Sequence, residues 1–557
     1  MRSRRLVVSA AVIAAAMGIV PVSAQADPVK PAKPGTSGTS DAHGVTVTPD
    51  RAAPAGQKFS SPAERTVRTA PKARGKAAPQ AKGIAAEEPT VGLDGWGTSA
   101  RGVAIDATVT NAAWTLLTAT VEWGDGTKEQ YDVHGTQTLE LKHAYQEIGY
   151  YTAKVTLSDE SGTRALNTMD LWTLGSDFTP HAPTRLLDTR DGTGAPKKVV
   201  GAWGTARVKV GGAPGIPANA TAVVLNLTVT NPSRAGHITA FGTGDERPTS
   251  SNVNYEPGQT VPNLVIVPIG DDGYVDLYNH AEGSVDLIAD VTGYFTHTSS
   301  SGYTSLTPSR LVDTRTGLGA KKGQVGAGST FGVQIAGRGG VPSGVTAVAL
   351  NVTVTDPRSA GHLSVFPSDR QATTSSLNFV AGQTVANAVI VPVGPDGKIN
   401  VLNRATGGSD VIVDVVGYYN PAGQSAYMPV RPERLLDTRG DASWNYGPLD
   451  DFGYAYMHLG YNRPTETAWV LNTTVTETRQ NGYLGVVPDP NSAWQYDSGT
   501  ASWPPAPTSS TLNWTPGKTV PNLVQATGGP DGIVDFFNQS YGTTHLVVDI
   551  FGYYDKG

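Results

Sequence analysis

The stretch from Ala222 to Thr230, AVVLNLTVT, indicates the fold class most directly. Successive side chains of a β-strand point to opposite faces, so this stretch has one apolar and one polar face. The apolar face consists of Leu225, Leu227 and Val229, and the polar face consists of Asn226, Thr228 and Thr230. The apolar face predicts a buried core. The polar face could hydrogen-bond neighbouring strands or bind a ligand.

This strand belongs to a unit that is written three times. LNVTVT ends at Thr355 and LNTTVT ends at Thr476. Each copy follows the string RLLDTR or RLVDTR, which ends at Arg190, Arg315 or Arg439. The repeat length of about 125 residues is that of a whole domain and far exceeds the roughly 20–50 residues of a solenoid unit. We therefore predict three beads on a string, each with its own core: module 1 (176–299), module 2 (300–422) and module 3 (423–557).

Short strands and tight turns dominate each module. Module 1 has room for about seven strands, and no helical periodicity is evident. The strings DDG, PDG and PDG, which end at Gly273, Gly397 and Gly532, predict hairpins with glycine in the left-handed region. The 65 glycines, 39 prolines and 16% charged residues agree with many short strands. The predicted fold class is all-β: an immunoglobulin-like sandwich followed by three tandem β-sandwich or jelly-roll modules, with the topology left open.

The first 88 residues have a different composition. Residues 1–26 combine a basic start, an apolar run and the small-residue pattern from Ala24 to Ala26, which predicts a cleaved export signal. Residues 27–88 are rich in proline, alanine and lysine and predict a disordered linker. No second apolar stretch of membrane-spanning length follows. We therefore expect a secreted, extracellular protein, with association to the cell wall as a further option. It has no cysteine, so disulfides cannot support its domains.

Residues 89–175 carry two characteristic strings. WGDGT runs from Trp123 to Thr127 between strand-like segments, and HAYQEIGYYTAKVTLSD runs from His143 to Asp159. Asp-Gly between two strands predicts a hairpin. The pair of strings resembles the polycystic-kidney-disease (PKD) domain. The resemblance implies a small immunoglobulin-like sandwich that serves as a spacer or a binding module.

Three polar sets recur in all three modules. The first set is Arg185, Asp188, Thr189 and Arg190, with the equivalents Arg310, Asp313, Thr314 and Arg315, and Arg434, Asp437, Thr438 and Arg439. The second set is the Asn-Thr strand described above. The third set is Asp290, Asp414 and Asp549 together with Asn263, Asn387 and Asn522. An arginine–aspartate pair could form a bidentate ion pair that fixes this segment against the sheet. The same groups could instead bind sugar hydroxyls.

Aromatic side chains offer stacking surfaces for a sugar ring. Tyr294, Tyr418 and Tyr553 end the modules, and the equivalent positions after a glycine hold His237, His362 and Tyr483. Module 3 alone has an insertion that contains Trp494, Tyr496 and Trp503. Exposed aromatic residues in a loop are typical contact residues, so this insertion is a candidate for a distinct specificity. It could also fold back over its own module.

The sequence lacks the catalytic motifs of zinc proteases, α/β-hydrolases and P-loop enzymes, and its ten histidines show no metal-ligand spacing. We expect no cofactor, no metal and no enzymatic activity. The net charge of −6 gives no attraction to nucleic acid.

The strings PSRLxDTR, ALNVTVT and DVxGYY resemble modules of exported actinomycete proteins. The resemblance implies a cell-surface or carbohydrate-associated role and supplies no ligand residue. The leading hypothesis is a secreted, lectin-like protein that binds polysaccharide or cell-surface glycan multivalently. The first alternative is a structural or protein-interaction subunit of an exported assembly, such as the targeting subunit of a secreted antibacterial complex. The second is an unrecognised glycoside hydrolase.

Overall fold

The computed structural model describes residues 43–45, 58–69, 88–112, 114–440, 444 and 446–557. The predicted export signal lies outside the described residues, as does most of the predicted linker. Within them the chain has one short α-helix, α1 (Ala493–Asp497), and two 3-10 turns, Ala63–Arg65 and Pro530–Gly532. The all-β fold class is confirmed. No helix in this part of the chain is long and apolar enough to cross a membrane.

The first strand, β1 (His43–Val45), pairs in parallel with an edge of module 3. An N-terminal β-sandwich follows, with the strands β2 Lys58–Ser61, β3 Val67–Arg68, β4 Thr90–Gly97, β5 Gly102–Thr110, β6 Leu116–Glu122, β7 Lys128–His134, β8 Gln137–Ala144, β9 Tyr150–Asp159 and β10 Gly162–Trp172. Its two sheets have the orders β2-β4-β5-β8 and β3-β10-β9-β6-β7. WGDGT forms the predicted hairpin between β6 and β7, with positive φ at Gly124 and Gly126.

Part of the predicted linker belongs to this sandwich. Strand β2 pairs with β4, Phe59 is buried in the core, and Ser61 Oγ donates to Asn167 Oδ1 at 2.8 Å. The prediction of disorder is therefore wrong for residues 58–69. Phe59, the Ser61–Asn167 hydrogen bond and the backbone hydrogen bonds of an edge strand anchor a segment whose composition is mostly polar.

Each module has eight strands. Module 1 has β11 Asp177–Asp188, β12 Thr205–Lys209, β13 Ala222–Thr230, β14 Gly236–Gly242, β15 Val253–Tyr255, β16 Val261–Pro268, β17 Tyr274–Asn279 and β18 Asp286–Thr296. Module 2 has β19 Gly302–Asp313, β20 Thr330–Gln334, β21 Ala347–Thr355, β22 Gly361–Pro367, β23 Leu377–Phe379, β24 Val385–Pro392, β25 Lys398–Asn403 and β26 Asp410–Asn420. Module 3 has β27 Ala426–Asp437, β28 Tyr454–His458, β29 Glu466–Thr476, β30 Gly482–Pro488, β31 Leu512–Trp514, β32 Val520–Thr527, β33 Ile533–Ser540 and β34 His545–Asp555.

The eight strands of a module form two antiparallel sheets. The first, eighth, third and sixth strands make one sheet, for example β11-β18-β13-β16, which we call the inner sheet. The second, seventh, fourth and fifth make the other, for example β12-β17-β14-β15, which we call the outer sheet. This is the strand order of a jelly roll, so the structure decides the topology that the sequence left open. In module 3, β1 extends the outer sheet.

Two details of the predicted modules differ from the structure. The strand missed from the sequence is β11, whose pairing with β18 is interrupted between Pro180 and Thr184, because proline cannot donate to the ladder. Gly273, Gly397 and Gly532 have the predicted positive φ. The prediction of hairpins there is wrong, because the flanking strands lie in opposite sheets and the turn carries the chain across the sandwich.

The modules pack around a common axis, so the prediction of separate beads on a string is wrong. Each module has its own core, as predicted. At the axis, however, amide groups join the inner sheets in a closed ring. Nδ2 donates to Oδ1 of the next asparagine in three equivalent pairs: Asn387 to Asn226 at 3.0 Å, Asn522 to Asn351 at 3.0 Å and Asn263 to Asn472 at 2.9 Å. The Asn-Thr strands therefore bind neighbouring modules.

Apolar and aromatic side chains surround this ring. Eighteen buried residues, drawn from all three inner sheets, form one shared core. Its ring contacts cross between modules: Phe178 with Tyr419 at 4.2 Å, Phe295 with Tyr427 at 4.5 Å and Tyr303 with Tyr554 at 4.2 Å. The inner sheets are thus covered on both faces.

Candidate functional site

The repeated arginine and aspartate residues meet at the edge of each inner sheet. Arg185 Nε donates to Asp290 Oδ1 at 2.9 Å, and Nη2 donates to Oδ2 at 3.3 Å. Asp290 is fully buried. The pair joins β11 to β18, and we call it the arginine clamp. Its equivalents are Arg310–Asp414, with 2.9 Å to Oδ1, and Arg434–Asp549, with 2.8 Å. This is the bidentate geometry expected of an ion pair that fixes the segment against the sheet.

The second arginine of each string binds the aspartate two residues before it. Arg190 Nε donates to Asp188 Oδ1 at 2.9 Å, and Nη2 donates to Oδ2 at 2.7 Å. This hydrogen bonding lowers the pKa of the Asp188 carboxyl. Arg315–Asp313 and Arg439–Asp437 repeat the arrangement. Two arginines and two aspartates thus neutralise each other in every module.

These strings line a cleft between neighbouring modules. The first cleft, between modules 1 and 2, has a volume of about 510 Å³. Module 1 contributes Arg185, Arg190, Thr228, Thr230 and Thr260, and module 2 contributes His362, Thr373, Ser375, Asn378 and Arg404. The Asn226–Ser375 contact recurs as Asn351–Ser510 and Asn472–Ser251, and we call the equivalent interfaces between modules 2 and 3 and between modules 3 and 1 the second and third clefts. The predicted residues of one module therefore face a wall that the next module supplies.

Hydrogen bonds hold the two walls of the first cleft at a fixed separation. Thr373 Oγ1 donates to the Pro183 carbonyl at 2.7 Å, and Asn226 Nδ2 donates to the Ser375 carbonyl at 2.8 Å. A cleft held open in this way needs little reorganisation to accept a ligand.

Unpaired polar atoms line the first cleft. Thr228 is 1% exposed, and its hydroxyl has no hydrogen-bond partner among the described residues. The side-chain carbonyl of Asn378 has none either. The equivalent hydroxyls of Thr353 and Thr474 are also unpaired within that part of the chain. A buried polar group without a partner costs about 1–3 kcal/mol, so a bound hydroxyl would find ready partners here.

An aromatic or imidazole ring occupies the same position in each cleft. Burial lowers the pKa of His362 in the first cleft, and the charges of Arg404 and Arg185 lower it further. In the third cleft, burial, His280 and Arg434 lower the pKa of His237 to about 4. Both imidazoles are therefore neutral at pH 7, with one donor and one acceptor nitrogen each.

Hydrogen bonds bridge the second cleft. Arg310 Nη2 donates to the Thr508 carbonyl at 3.0 Å, and the Tyr483 hydroxyl donates to the Pro507 carbonyl at 3.4 Å. The segment that follows the module 3 insertion is thus bonded directly to the clamp arginine of module 2.

The insertion itself lies over the outer sheet of module 3. Ser492 and Gln495 form a capping box at the start of α1. The Tyr496 ring stacks on Tyr456 at 3.8 Å, and Trp503 packs edge-on against Tyr454 at 4.8 Å. The loop therefore folds back over its own module. Its two tryptophans nevertheless stay exposed, with 69% for Trp494 and 51% for Trp503.

An unusual carboxyl pair lies near this loop. Asp535 is fully buried on β33, and neither of its oxygens accepts a hydrogen bond from a described residue. Asp489 accepts from Asn491 Nδ2 at 2.9 Å and from the Tyr496 hydroxyl. Burial and the neighbouring Asp489 raise the pKa of Asp535 to about 10. Asp535 is therefore protonated at pH 7 and can donate its proton to Asp489.

The terminal tyrosines pack against the module cores. Tyr294 and Tyr418 are half-buried, and Tyr553 is buried.

Sequence reasoning missed Thr373, Asn378 and Arg404, because nothing in the sequence shows that module 2 completes a cleft of module 1. Among the described residues, no three His, Asp or Glu side chains converge as metal ligands would.

Comparisons with known proteins add one finding. No family model and no curated protein sequence matches the chain. A solved structure from a study of the promiscuous specificity of carbohydrate-binding modules of the β-sandwich superfamily is similar to part of it. The match has 13% sequence identity and a TM-score of 0.17, and it covers 38% of this chain and 99% of that chain. The sheets themselves, and not this match, establish the sandwich fold.

Proposed function

We propose that this protein is an exported, non-catalytic protein that binds carbohydrate at the clefts between its repeated modules. The observation that carries the proposal is the first cleft, which is open, rigid and lined by guanidinium, hydroxyl, amide and imidazole groups. Polar groups at fixed positions suit a ligand whose surface consists of hydroxyls. The unpaired atoms of Thr228 and Asn378 support a ligand that donates and accepts hydrogen bonds.

The ring of modules supports binding of a polymer. The clefts are related by the same packing around one axis, so their separations are fixed by the fold. A chain that binds the first cleft presents its next sugars to the third at a high effective concentration, whereas the walls of the second are bonded to each other. Weak individual sites can therefore give firm attachment to a polysaccharide. An N-terminal sandwich that acts as a spacer, as its PKD resemblance implies, fits this role.

The test uses an isosteric change in the first cleft. A glycan array with the full chain selects a short oligosaccharide, and calorimetric titration then measures its affinity. Thr228→Val removes an unpaired hydroxyl, so it should leave stability unchanged or slightly higher. We expect it to weaken binding roughly tenfold. Thr353→Val, in the second cleft, whose walls are bridged by the Arg310–Thr508 hydrogen bond, is the matched control and should bind like the unaltered chain.

Two results would contradict the proposal. One is the absence of binding to any glycan of the array. The other is an equal effect of both substitutions on affinity, which would show that the ligand does not bind in the first cleft. A protein that co-purifies in stoichiometric amount from culture fluid would instead favour the alternative of a subunit in an exported assembly.

A further inference from the structure

Arg404 differs from the other arginines of the first cleft. Its side chain is exposed, and the guanidinium group makes no hydrogen bond or ion pair to any residue in the described part of the chain. Arg185 and Arg190, in contrast, are neutralised by Asp290 and Asp188. The charge of Arg404 is therefore the uncompensated charge among the arginines that line this cleft.

The equivalent positions of the other modules carry no such charge. In module 2 the backbone N–H of Arg404 donates to the carbonyl of His362. In module 3 Tyr483 takes the place of His362, and the residue paired with it is Gln539. In module 1 the corresponding residue is His280, whose pKa burial lowers. The three modules thus present an imidazole, a guanidinium and an amide at one position of the fold.

Further donors stand beside Arg404. Arg190 uses Nε and Nη2 for Asp188, which leaves Nη1 available toward the cleft. His362 lies close enough to Arg404 for the guanidinium charge to lower the imidazole pKa. Arginine is the side chain best suited to planar anions, because its fork matches carboxylate and phosphate oxygens.

We propose that the first cleft selects an acidic sugar, with Arg404 and Arg190 binding the anionic group and the threonine hydroxyls binding the ring. The anion is a uronate carboxylate or a sugar phosphate. This inference rests on the proposed carbohydrate-binding function and gives the first cleft a preference that the other two lack.

The experiment compares one sugar backbone with and without its charge. The full chain is titrated at low salt with trigalacturonate, with its methyl ester, and with galactose 6-phosphate as the phosphate source. The expected result is roughly tenfold tighter binding of the carboxylate or the phosphate ligand than of the ester. Higher salt should reduce this preference, because the anion binds at an exposed charge.

Arg404→Gln copies the residue that module 3 already has and should abolish the preference for the acid. Arg338→Gln removes the same charge from an exposed position of module 2 outside the cleft and should keep the preference. Equal binding of the acids and the ester, or a preference that survives Arg404→Gln, would overturn this inference and leave the cleft as a site for neutral sugar. Absence of binding to all three ligands and to the array would overturn the proposed function as well.

Discussion

The inner and outer sheets of the modules follow opposite rules. At the inner sheets the same residues recur in all three copies, and they form the clamps, the asparagine ring and the shared core. At the outer sheets equivalent positions differ: Asp276, Asn400 and Asp535 face Arg207, Gly332 and Tyr456 across the same strand pair. Residues that recur in all three modules hold the modules together, and residues that vary lie on surfaces where the modules can differ in what they bind.

The largest expected effect comes from breaking a clamp of the inner sheet. Arg434→Met leaves Asp549 buried without its partner and should lower the free energy of unfolding by about 3–5 kcal/mol. Arg431→Met, in the same module as Arg434, removes an exposed ion pair with Glu246 of module 1 and should cost at most about 1 kcal/mol. Urea denaturation of both variants measures the difference. Equal losses would show that the clamp is no more than a surface pair.

The asparagine ring should come next. Asn387 donates to Asn226 and to the Ser376 carbonyl at 2.7 Å, and it accepts from the backbone N–H of Leu264. Asn387→Leu should cost about 2–4 kcal/mol, because it leaves buried groups of two modules unpaired. Asn400→Leu on the outer sheet should cost under about 1 kcal/mol.

Calorimetry should show one transition for all three modules. Separate transitions in the unaltered chain would contradict a shared core.

The buried carboxyl of the outer sheet predicts a dependence on pH. Asp535 keeps a proton in the folded state up to about pH 10, while the unfolded chain releases it near pH 4. The contribution of this proton to the free energy of unfolding is therefore fully present below about pH 4, and it is lost as the pH rises toward 10. Between pH 5 and 8 the loss should be about 1 kcal/mol per pH unit. Asp535→Asn, the residue of module 2, should flatten the slope in urea denaturation at pH 5, 6.5 and 8. An unchanged slope would contradict the protonated state.

The smallest effect should come from the aromatic loop. Trp503→Ala removes the edge contact with Tyr454 and should cost about 0.5–1 kcal/mol. Trp494→Ala, at a more exposed position, should change stability by less than about 0.5 kcal/mol. Thermal denaturation separates them. A large loss for Trp494→Ala would show that the loop supports the module more than its exposure indicates.

Much of each module could be predicted from the sequence, because strand alternation, turn glycines and repeated pairs are local signals. The sequence offered a structural arginine–aspartate pair as one of two alternatives, and the structure identifies its members as Arg185 and Asp290. The ring was not foreseen, although Asn263, Asn387 and Asn522 were noted in every copy. A contact within one copy and a contact between neighbouring copies leave the same repeated pattern in a sequence. Only the structure shows that the partner of Asn387 is in module 1.

The first cleft was beyond prediction for a related reason. Its second wall depends on Thr373, Asn378 and Arg404, and Arg404 is not repeated in the other modules. A search for repeated residues finds the residues that all modules share, and it misses a binding residue that occurs in only one module. The aromatic loop was easier, since an insertion rich in tryptophan is visible without any spatial knowledge.

The ring also bears on how such a chain can arise and be taken apart. Each module offers one face to its successor and a different, complementary face to its predecessor, and three steps close the circle. Such a head-to-tail contact does not require the peptide links between the modules. Three separate copies of one module could therefore close the same ring, as a homotrimer does. Fusion of the three copies in one chain frees each outer face to change without the others.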